Sequence, residues 1–414
     1  MVFKTNKTSL FLYIFLFTAA FNDLLRIGTS RLSIFRILLP IAMLVAFCSS
    51  GKARKVYAIM GLVLIASLAQ SLFFCNSNDV GVHFSINRYL VYAFYYLCIA
   101  SVVAAVLSIV EDVEFGVEDF SRFLSVIGVC YLLVFIYIYY SNQHNISSSL
   151  IINNPNDYGA MLTAMFPFFY CYYKEKGRIA SLLFIAISLM FLVLNDCKLA
   201  LLGTIVQVFL LSYFELRNKK PKWKNATLIA IASAFIAFLI FVNNKDFTFH
   251  GYSWEGTVVE PIKAMLQGHL YGQSNTSVSY RVNTFIVSME WLKRTRLVGI
   301  GIGNSGFLIR NVLGARSLYL SWLNNTAVSL HNVFLEVLLE FGIIAIIGVA
   351  LIAKTVIKIL GKLELNKYEV MFLTTLISSL LWLQGPSGVL TDYMIVVLFT
   401  YEYICMNTIN NSRD

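Results

Sequence analysis

Long apolar runs recur along most of this chain, and they constrain its fold more than any other feature. A run of about 20 apolar residues forms a helix long enough to cross the hydrocarbon core of a membrane. Only 13% of the 414 residues are charged and 58% are hydrophobic, whereas a soluble protein carries roughly a quarter charged residues. We therefore expect an all-α protein, a polytopic membrane helical bundle that forms a single integral membrane domain over residues 1–414.

About twelve runs fit the template of a membrane-spanning helix. Their approximate bounds are 8–26, 33–50, 56–75, 88–110, 122–141, 157–174, 178–195, 198–215, 226–243, 332–354, 367–384 and 388–407. The segment 244–330 contains no run of that length and has mixed polarity. Because long loops in compact proteins are usually functional, this segment is the first place to look for chemistry.

The basic residues predict the topology of the chain. If the runs alternate across the membrane, the most basic loops fall on one side, which the positive-inside rule assigns to the cytoplasm. These loops are GKARK (51–55), KEKGR (174–178), RNKKPKWK (217–224) and the region 354–367. Both termini are then cytoplasmic, and 244–330 is a long loop on the outer, periplasmic face. The net charge of +10 thus reflects topology, and we expect no nucleic-acid partner.

The stretch SLHNVFLEVLLEFGIIAIIG places His331 and Asn332 at the outer entrance of an apolar helix. At helical spacing, Asn332, Glu336 and Glu340 share one stripe beside the histidine. An ionisable group at a membrane edge that points into a bundle is often functional, but such residues also serve as interfacial or structural groups. The sequence alone leaves both interpretations of the stripe open, and it predicts partners for the two acids, such as basic side chains of neighbouring helices.

Arg281 opens a second polar segment, SYRVNTFIVSMEWLKRTRLVGIGIGNSGF. Its spacing predicts a short amphipathic helix over 281–292 along the membrane surface, with Phe285, Met289 and Leu292 on its apolar side. The following glycines match GxGxxG, but no strand–helix–strand context precedes them, which excludes a dinucleotide-binding interpretation. We expect a tight, closely packed turn instead.

Two weaker candidates lie earlier in the chain. Lys198 in NDCKLALLG fits a lysine that extends to the membrane interface, or a cation that binds phosphate as a point charge. In NNPNDYGAM, Asn156 or Asp157 fits a helix cap, and Asn156 is also a candidate substrate contact. Neither motif decides between its two interpretations.

Several motifs are absent from the sequence, and each absence narrows the chemistry. There is no Walker motif, no HExxH and no GxSxG, which argues against nucleotide-driven transport, zinc proteolysis and α/β-hydrolase chemistry. The seven cysteines are scattered, without ligand spacing. We therefore expect neither a cofactor nor a metal ion.

Four segments, in order, make the chain resemble the bacterial O-antigen polymerase and O-antigen ligase superfamily of polytopic membrane glycosyltransferases. They are NPNDYGAM, NDCKLALLG, YRVNTFIVSMEWLKRTRLVGIGIGNSGF and HNVFLEVLLEFGIIAIIG, within about residues 150–350. The last two match the Arg, Trp and Gly-x-Gly region and the His-Asn, Leu-Glu and Glu-x-Gly block of that superfamily. One departure is Lys198, where the superfamily usually has arginine.

The resemblance implies glycosyl transfer on the periplasmic face of the bacterial inner membrane. The donor is a glycan on undecaprenyl pyrophosphate, and the acceptor is a lipid-linked glycan in a polymerase or lipid A-core in a ligase. His331 would act as general base, Arg281 and Lys198 would bind pyrophosphate, and Asn332 and Asn156 would contact substrate. Membrane lipid, a chain-length regulator and a flippase are the further partners that this pathway implies.

Two other classes of protein fit about twelve spans. A polysaccharide flippase is expected to carry charges from both halves in a central cavity, and it needs no long outer loop. A secondary transporter should show inverted halves with broken helices near the membrane midplane. The polar features of this chain gather instead at one face of its second half, which favours the transferase, and within that class a polymerase over a ligase.

Overall fold

The computed structural model describes residues 7–22, 25, 33–110, 116–141, 155–176, 179–194, 198–217, 248–249, 252–253, 260–267, 269–270, 277–315, 330, 332–362, 364–383 and 393–411. These residues are almost entirely helical, which confirms the all-α class. A pair of two-residue antiparallel strands, β1 (Thr248–Phe249) and β2 (Tyr252–Ser253), is the exception among them. Nothing in this part of the chain suggests a larger sheet.

Most of the helices follow the apolar runs, and three lie within the segment 244–330. In chain order they are α1 (Lys7–Ala20), α2 (Ile34–Ser49), α3 (Gly51–Ser77), α4 (Ile86–Val110), α5 (Gly116–Ser141), α6 (Pro155–Lys176), α7 (Ile179–Leu194), α8 (Lys198–Arg217), α9 (Glu260–Leu266), α10 (Ser277–Arg294), α11 (Ser305–Ala315), α12 (Val333–Phe341), α13 (Ile343–Leu360), α14 (Lys367–Trp382) and α15 (Tyr393–Asn411). The predicted run at 226–243 lies outside the described residues.

Among the described helices, α3, α4 and α13 are long and apolar enough to cross a membrane. Large apolar side chains point outward from two of them, such as Leu62 on α3 and Ile357 on α13, which are 70% and 71% exposed. A helix that exposes such side chains needs an apolar solvent, and this supports a helical membrane protein. The count of about twelve spans and the periplasmic position of 244–330 stay predictions.

The chain divides into two compact units. The first comprises Met1–Leu62, Ala93–Leu211 and Gly361–Asp414. Aromatic rings fill its helix contacts: Phe120 stacks on Tyr401 at 5.2 Å, and Phe169 stacks on Phe184 at 3.7 Å between ring centroids. Such pairs contribute about 0.5–1.5 kcal/mol each beyond the apolar area that they bury.

The second unit comprises Val63–Tyr92 and Ser212–Leu360. Its core gathers apolar side chains from α3, α10, α11 and α12, including Phe74, Trp291, Leu308 and Leu339. The described part of the segment 244–330 contributes α10 and α11 to this core. That part is therefore a packed helical region rather than an open loop.

One predicted helix is wrong. The run at 332–354 is not a single span but two helices, α12 and α13, which are separated at Gly342. Gly342 has φ 54, and a Cβ atom there would collide with the backbone of Leu297, Val298 and Gly299. The break could not be predicted from the apolar pattern. Its cause is the close contact of Gly342 with another backbone segment, and no polar residue marks it.

Candidate active site

The helix pair α10 and α12 carries the candidate residues that the structure describes best. The two helices pack against each other in the second unit. Arg281 and Tyr280 lie on α10, and Asn332 immediately precedes α12, which carries Glu336 and Glu340. His331 lies outside the described residues, and its predicted role stays a prediction.

Arg281 is partly buried on α10. Its Nε atom is shielded from solvent and has no hydrogen-bond partner among the described residues. Burial lowers the pKa of its guanidinium group. A buried donor of a cation without an acceptor is costly, and an anionic ligand would remove that cost. The arrangement suits binding of a charged substrate group.

The rest of α10 packs into the core of the second unit. Residues Ser277–Arg294 form a longer helix, and Tyr280, Thr284, Val287 and Trp291 are all buried on it. Leu292 is also buried, but Phe285 is 36% exposed. The helix was therefore predicted correctly, and its position along the membrane surface stays a prediction.

Asn332 caps the first turn of α12. Its backbone is extended, and its side-chain oxygen accepts a hydrogen bond of 3.0 Å from the Leu335 amide. This satisfies one of the amide groups that a helix start leaves without an intrahelical partner. Asn332 therefore lies at a helix entrance as predicted, whereas substrate contact by Asn332 stays a prediction.

Glu340 binds the start of another helix, α11. Its Oε1 atom accepts hydrogen bonds from the Gly303 amide at 2.9 Å and from the Ser305 hydroxyl at 2.6 Å. Ser305 is the first residue of α11, so the carboxylate lies at the positive end of that helix. Glu340 is completely buried, and it interacts electrostatically with Arg88 on α4, which is a basic side chain of a neighbouring helix as predicted.

The glycine loop, residues 298–304, also donates backbone hydrogen bonds to α12. Its Ile300 and Gly301 amides donate hydrogen bonds to the Leu339 and Glu340 carbonyl oxygens at 3.0 and 2.9 Å. These carbonyls belong to the last turn of α12, which needs donors from outside the helix. The free carbonyl groups at the end of α12 and the hydrogen-bond donors before α11 are therefore satisfied by contacts through one loop.

Glycine is required in this loop by conformation and by space. Gly299, Gly301 and Gly303 have φ values of 93, 78 and 75, where residues with a side chain are strained. A Cβ atom on Gly299 would lie 2.7 Å from the Glu340 carbonyl oxygen. The prediction of a tight, closely packed turn is confirmed.

Two residues that contact this loop, Gln70 and Arg88, were not predicted from the sequence. Gln70 on α3 donates to the Val298 and Phe341 carbonyl oxygens at 2.6 and 3.2 Å. Arg88 on α4 donates to the Asn304 side chain at 2.7 Å and lies 4.5 Å over the Phe307 ring. Neither contact leaves a local signal, because the partners are more than 200 positions apart in the sequence.

Glu336 lacks the kind of contact that holds Glu340. It is only partly buried, and no hydrogen bond to its carboxyl group occurs among the described residues. Burial and the nearby Glu340 raise the pKa of Glu336 to about 8. Glu336 in turn adds to the effect of burial in raising the pKa of the Tyr280 phenol, so the two side chains are electrostatic neighbours across α10 and α12.

The remaining candidates lie in the first unit. Lys198 is the first residue of α8 and Asn156 is the second residue of α6, but their side chains are outside the described part. Because α6 begins at Pro155, Asn156 lies in the first turn and not at the predicted cap position. No group of three potential metal ligands occurs among the residues that the structure describes.

Comparison with known protein families gives a match over part of the chain. Residues 158–350 match the family model described as O-Antigen ligase. The match confirms the resemblance to the O-antigen polymerase and ligase superfamily, and it includes Lys198, Arg281, His331 and Asn332 but not Asn156. No curated protein and no solved structure matches the chain.

Proposed function

We propose that this chain, whose residues 158–350 match the O-Antigen ligase family, is a periplasmic-face glycosyltransferase that polymerises O-antigen repeat units. Its donor is a glycan on undecaprenyl pyrophosphate, and its acceptor is another lipid-linked glycan. The observation that supports this best is Arg281, a desolvated guanidinium with a buried Nε atom that has no partner among the described residues. A pyrophosphate would supply the missing acceptor.

The proposed reaction is a direct displacement. The acceptor hydroxyl attacks the anomeric carbon of the donor, and the bond between that carbon and the pyrophosphate oxygen breaks. The hydroxyl proton passes to neutral His331, whose ordinary pKa near neutrality suits a general base. Attack opposite the leaving group inverts the anomeric centre. The bond to pyrophosphate supplies the driving force, so the proposal includes neither a nucleotide nor a metal ion.

The leaving pyrophosphate gains charge as its bond breaks, and cations stabilise that charge. Arg281 is suited to this task because guanidinium can bind phosphate oxygens through two parallel hydrogen bonds. We further propose, from the sequence resemblance alone, that Lys198 contacts pyrophosphate and that Asn332 and Asn156 contact the glycan. The Asn332 amide nitrogen is the part of that side chain not used in capping α12.

An O-antigen ligase is the second candidate, because the matching family model carries that description. A ligase would transfer the same glycan to lipid A-core. Deletion in the source bacterium, followed by analysis of lipopolysaccharide, separates the two. Core carrying one repeat unit indicates a polymerase, whereas bare core with retained lipid-linked polymer indicates a ligase.

The role of His331 is tested with purified protein and lipid-linked repeat units in the presence of EDTA. We expect His331→Ala to lose about 10²–10⁴-fold in rate, the usual cost of removing a general base. His269→Ala is the matched control, because His269 is exposed and has no assigned role. If His331→Ala stays within a few-fold of wild type, His331 is not the base. Loss of wild-type activity with EDTA would reveal a metal requirement.

A further inference from the structure

A chain of polar side chains runs through the first unit, far in sequence from the candidate active site. The hydroxyl oxygens of Thr163 on α6 and Thr204 on α8 lie 3.1 Å apart. One turn further along α8, the amide nitrogen of Gln207 donates a hydrogen bond of 2.9 Å to the Ser378 hydroxyl on α14. These four side chains are at most 1% exposed, and all of them lie within predicted membrane-spanning runs.

Glu402 on α15 meets the same turn of α14. Its Oε1 atom accepts a hydrogen bond of 2.9 Å from the Thr375 hydroxyl. Thr375 precedes Ser378 by three positions, and side chains at that spacing are neighbours on a helix surface. The Gln207 amide and the Glu402 carboxyl group therefore bind adjacent side chains of α14 and bring α8 and α15 to one place.

Two oxygen atoms at this turn accept no hydrogen bond. They are Oε2 of Glu402 and Oε1 of Gln207, which are shielded from solvent and have no partner among the described residues. The Ser378 hydroxyl donates to the Thr375 carbonyl oxygen and accepts from the Trp382 indole, so it offers an acceptor to Gln207. The Gln207 amide therefore turns its nitrogen to Ser378 and leaves its oxygen free. Buried acceptors without a donor are costly, and water or an ion usually satisfies them.

The charge of Glu402 distinguishes among these ligands. Among the described residues its hydrogen-bond partner is the neutral Thr375 hydroxyl, and no basic side chain pairs with it. The other buried acid of this unit on α14, Glu369, has such a partner, because Lys362 Nζ lies 2.5 Å from its Oε1 atom. Water would satisfy the free oxygen atoms of Glu402 and Gln207 but would leave a buried negative charge uncompensated. A cation satisfies the oxygens and the charge together.

We propose that Oε2 of Glu402 and Oε1 of Gln207 bind one small monovalent cation, such as sodium. Carboxylate and amide oxygens are the ligands that small hard cations prefer. One carboxylate balances a single positive charge, whereas a divalent ion would bring an uncompensated charge into the protein. The ion joins α8, α14 and α15 and stabilises their packing. It takes no part in the proposed glycosyl transfer, and the inference does not depend on that function.

Thermal unfolding of the purified protein tests this site. The protein is measured at one pH and one ionic strength, either in sodium chloride or in N-methylglucamine chloride, whose organic cation is too large to bind two buried oxygens. We expect the wild-type Tm to be about 2–5 °C higher in sodium chloride, because a ligand of the folded state raises its stability. The shift should saturate with sodium concentration as expected for one site.

Three variants locate the effect. Glu402→Gln removes the charge and should abolish the difference between the two salts. Gln207→Leu removes the second ligand and should raise the half-saturating sodium concentration about tenfold or more. Glu369→Gln is the matched control, because Glu369 is equally buried but already paired with Lys362. It should keep the wild-type difference between the salts.

The inference is overturned if the wild-type Tm is the same in both salts, if Glu402→Gln keeps the sodium-dependent shift, or if Glu369→Gln loses it. If the salts are equivalent and the stability of wild type, but not of Glu402→Gln, falls as pH rises, a proton neutralises Glu402 and the cation is excluded. The wild-type comparison decides alone if a variant does not fold. Activity with lipid-linked donor is measured separately and tests the transferase proposal.

Discussion

The two ends of α12 use polar residues in opposite ways. At its C-terminal end, the Glu340 carboxylate and the last carbonyl groups of the helix bind the glycine loop. In the first half of α12, Glu336 is desolvated without such contacts among the described residues, and so is the Nε atom of Arg281 on the neighbouring α10. Satisfied polar groups hold a fold together, whereas unsatisfied ones have a cost that a substrate can remove. The contrast supports our proposal that one end of α12 serves the fold and that the other lies near the active site.

The largest expected effect on stability comes from adding a side chain to the glycine loop. We expect Gly299→Ala to cost on the order of 3 kcal/mol or more, because it combines positive φ with a collision with the end of α12. The yield of monodisperse protein and its thermal unfolding measure the effect. Gly348→Ala is the control, since a Cβ atom there meets nothing within 4 Å. Equal stability of both variants would contradict the role of the loop.

A comparison of the two acids sharpens the contrast. Glu340→Gln weakens charge-assisted hydrogen bonds and should cost about 1.5–3 kcal/mol of stability. Glu336→Gln should behave differently with pH. The folded state raises the pKa of Glu336 from 4.5 to about 8, so wild-type stability falls as pH rises between these values and Glu336→Gln reduces that fall. Thermal unfolding of both variants is measured across this pH range. Identical pH profiles for the two variants would contradict the difference between Glu336 and Glu340.

The sequence predicted those features of the site that depend on neighbouring residues. Apolar runs gave the helices, and the spacing of glycines gave a tight turn. The break at Gly342 and the contacts of Gln70 and Arg88 were not predicted. They depend on contacts between segments that are far apart in the sequence.

The smallest expected effect concerns the start of α12. Removal of the cap in Asn332→Ala should cost about 1 kcal/mol of stability. Asn332→Ser restores a capping oxygen and should restore stability. If stability recovers in the serine variant but the donor or acceptor KM stays raised, the amide group contacts substrate as predicted. If both stability and KM recover in the serine variant, the role of Asn332 is limited to capping α12.

The most direct test of the account compares two arginines of α10. Arg281 has a buried Nε atom without a partner among the described residues, whereas Arg294 is exposed and paired with Glu290. With folded, purified protein and lipid-linked donor, we expect Arg281→Ala to lose about 10²–10³-fold in kcat/KM, the usual loss when one stabilising donor is removed from a transition state. Arg294→Ala should stay within a few-fold of wild type. Equal activity of Arg281→Ala and Arg294→Ala would contradict the assignment of the active site to α10 and α12.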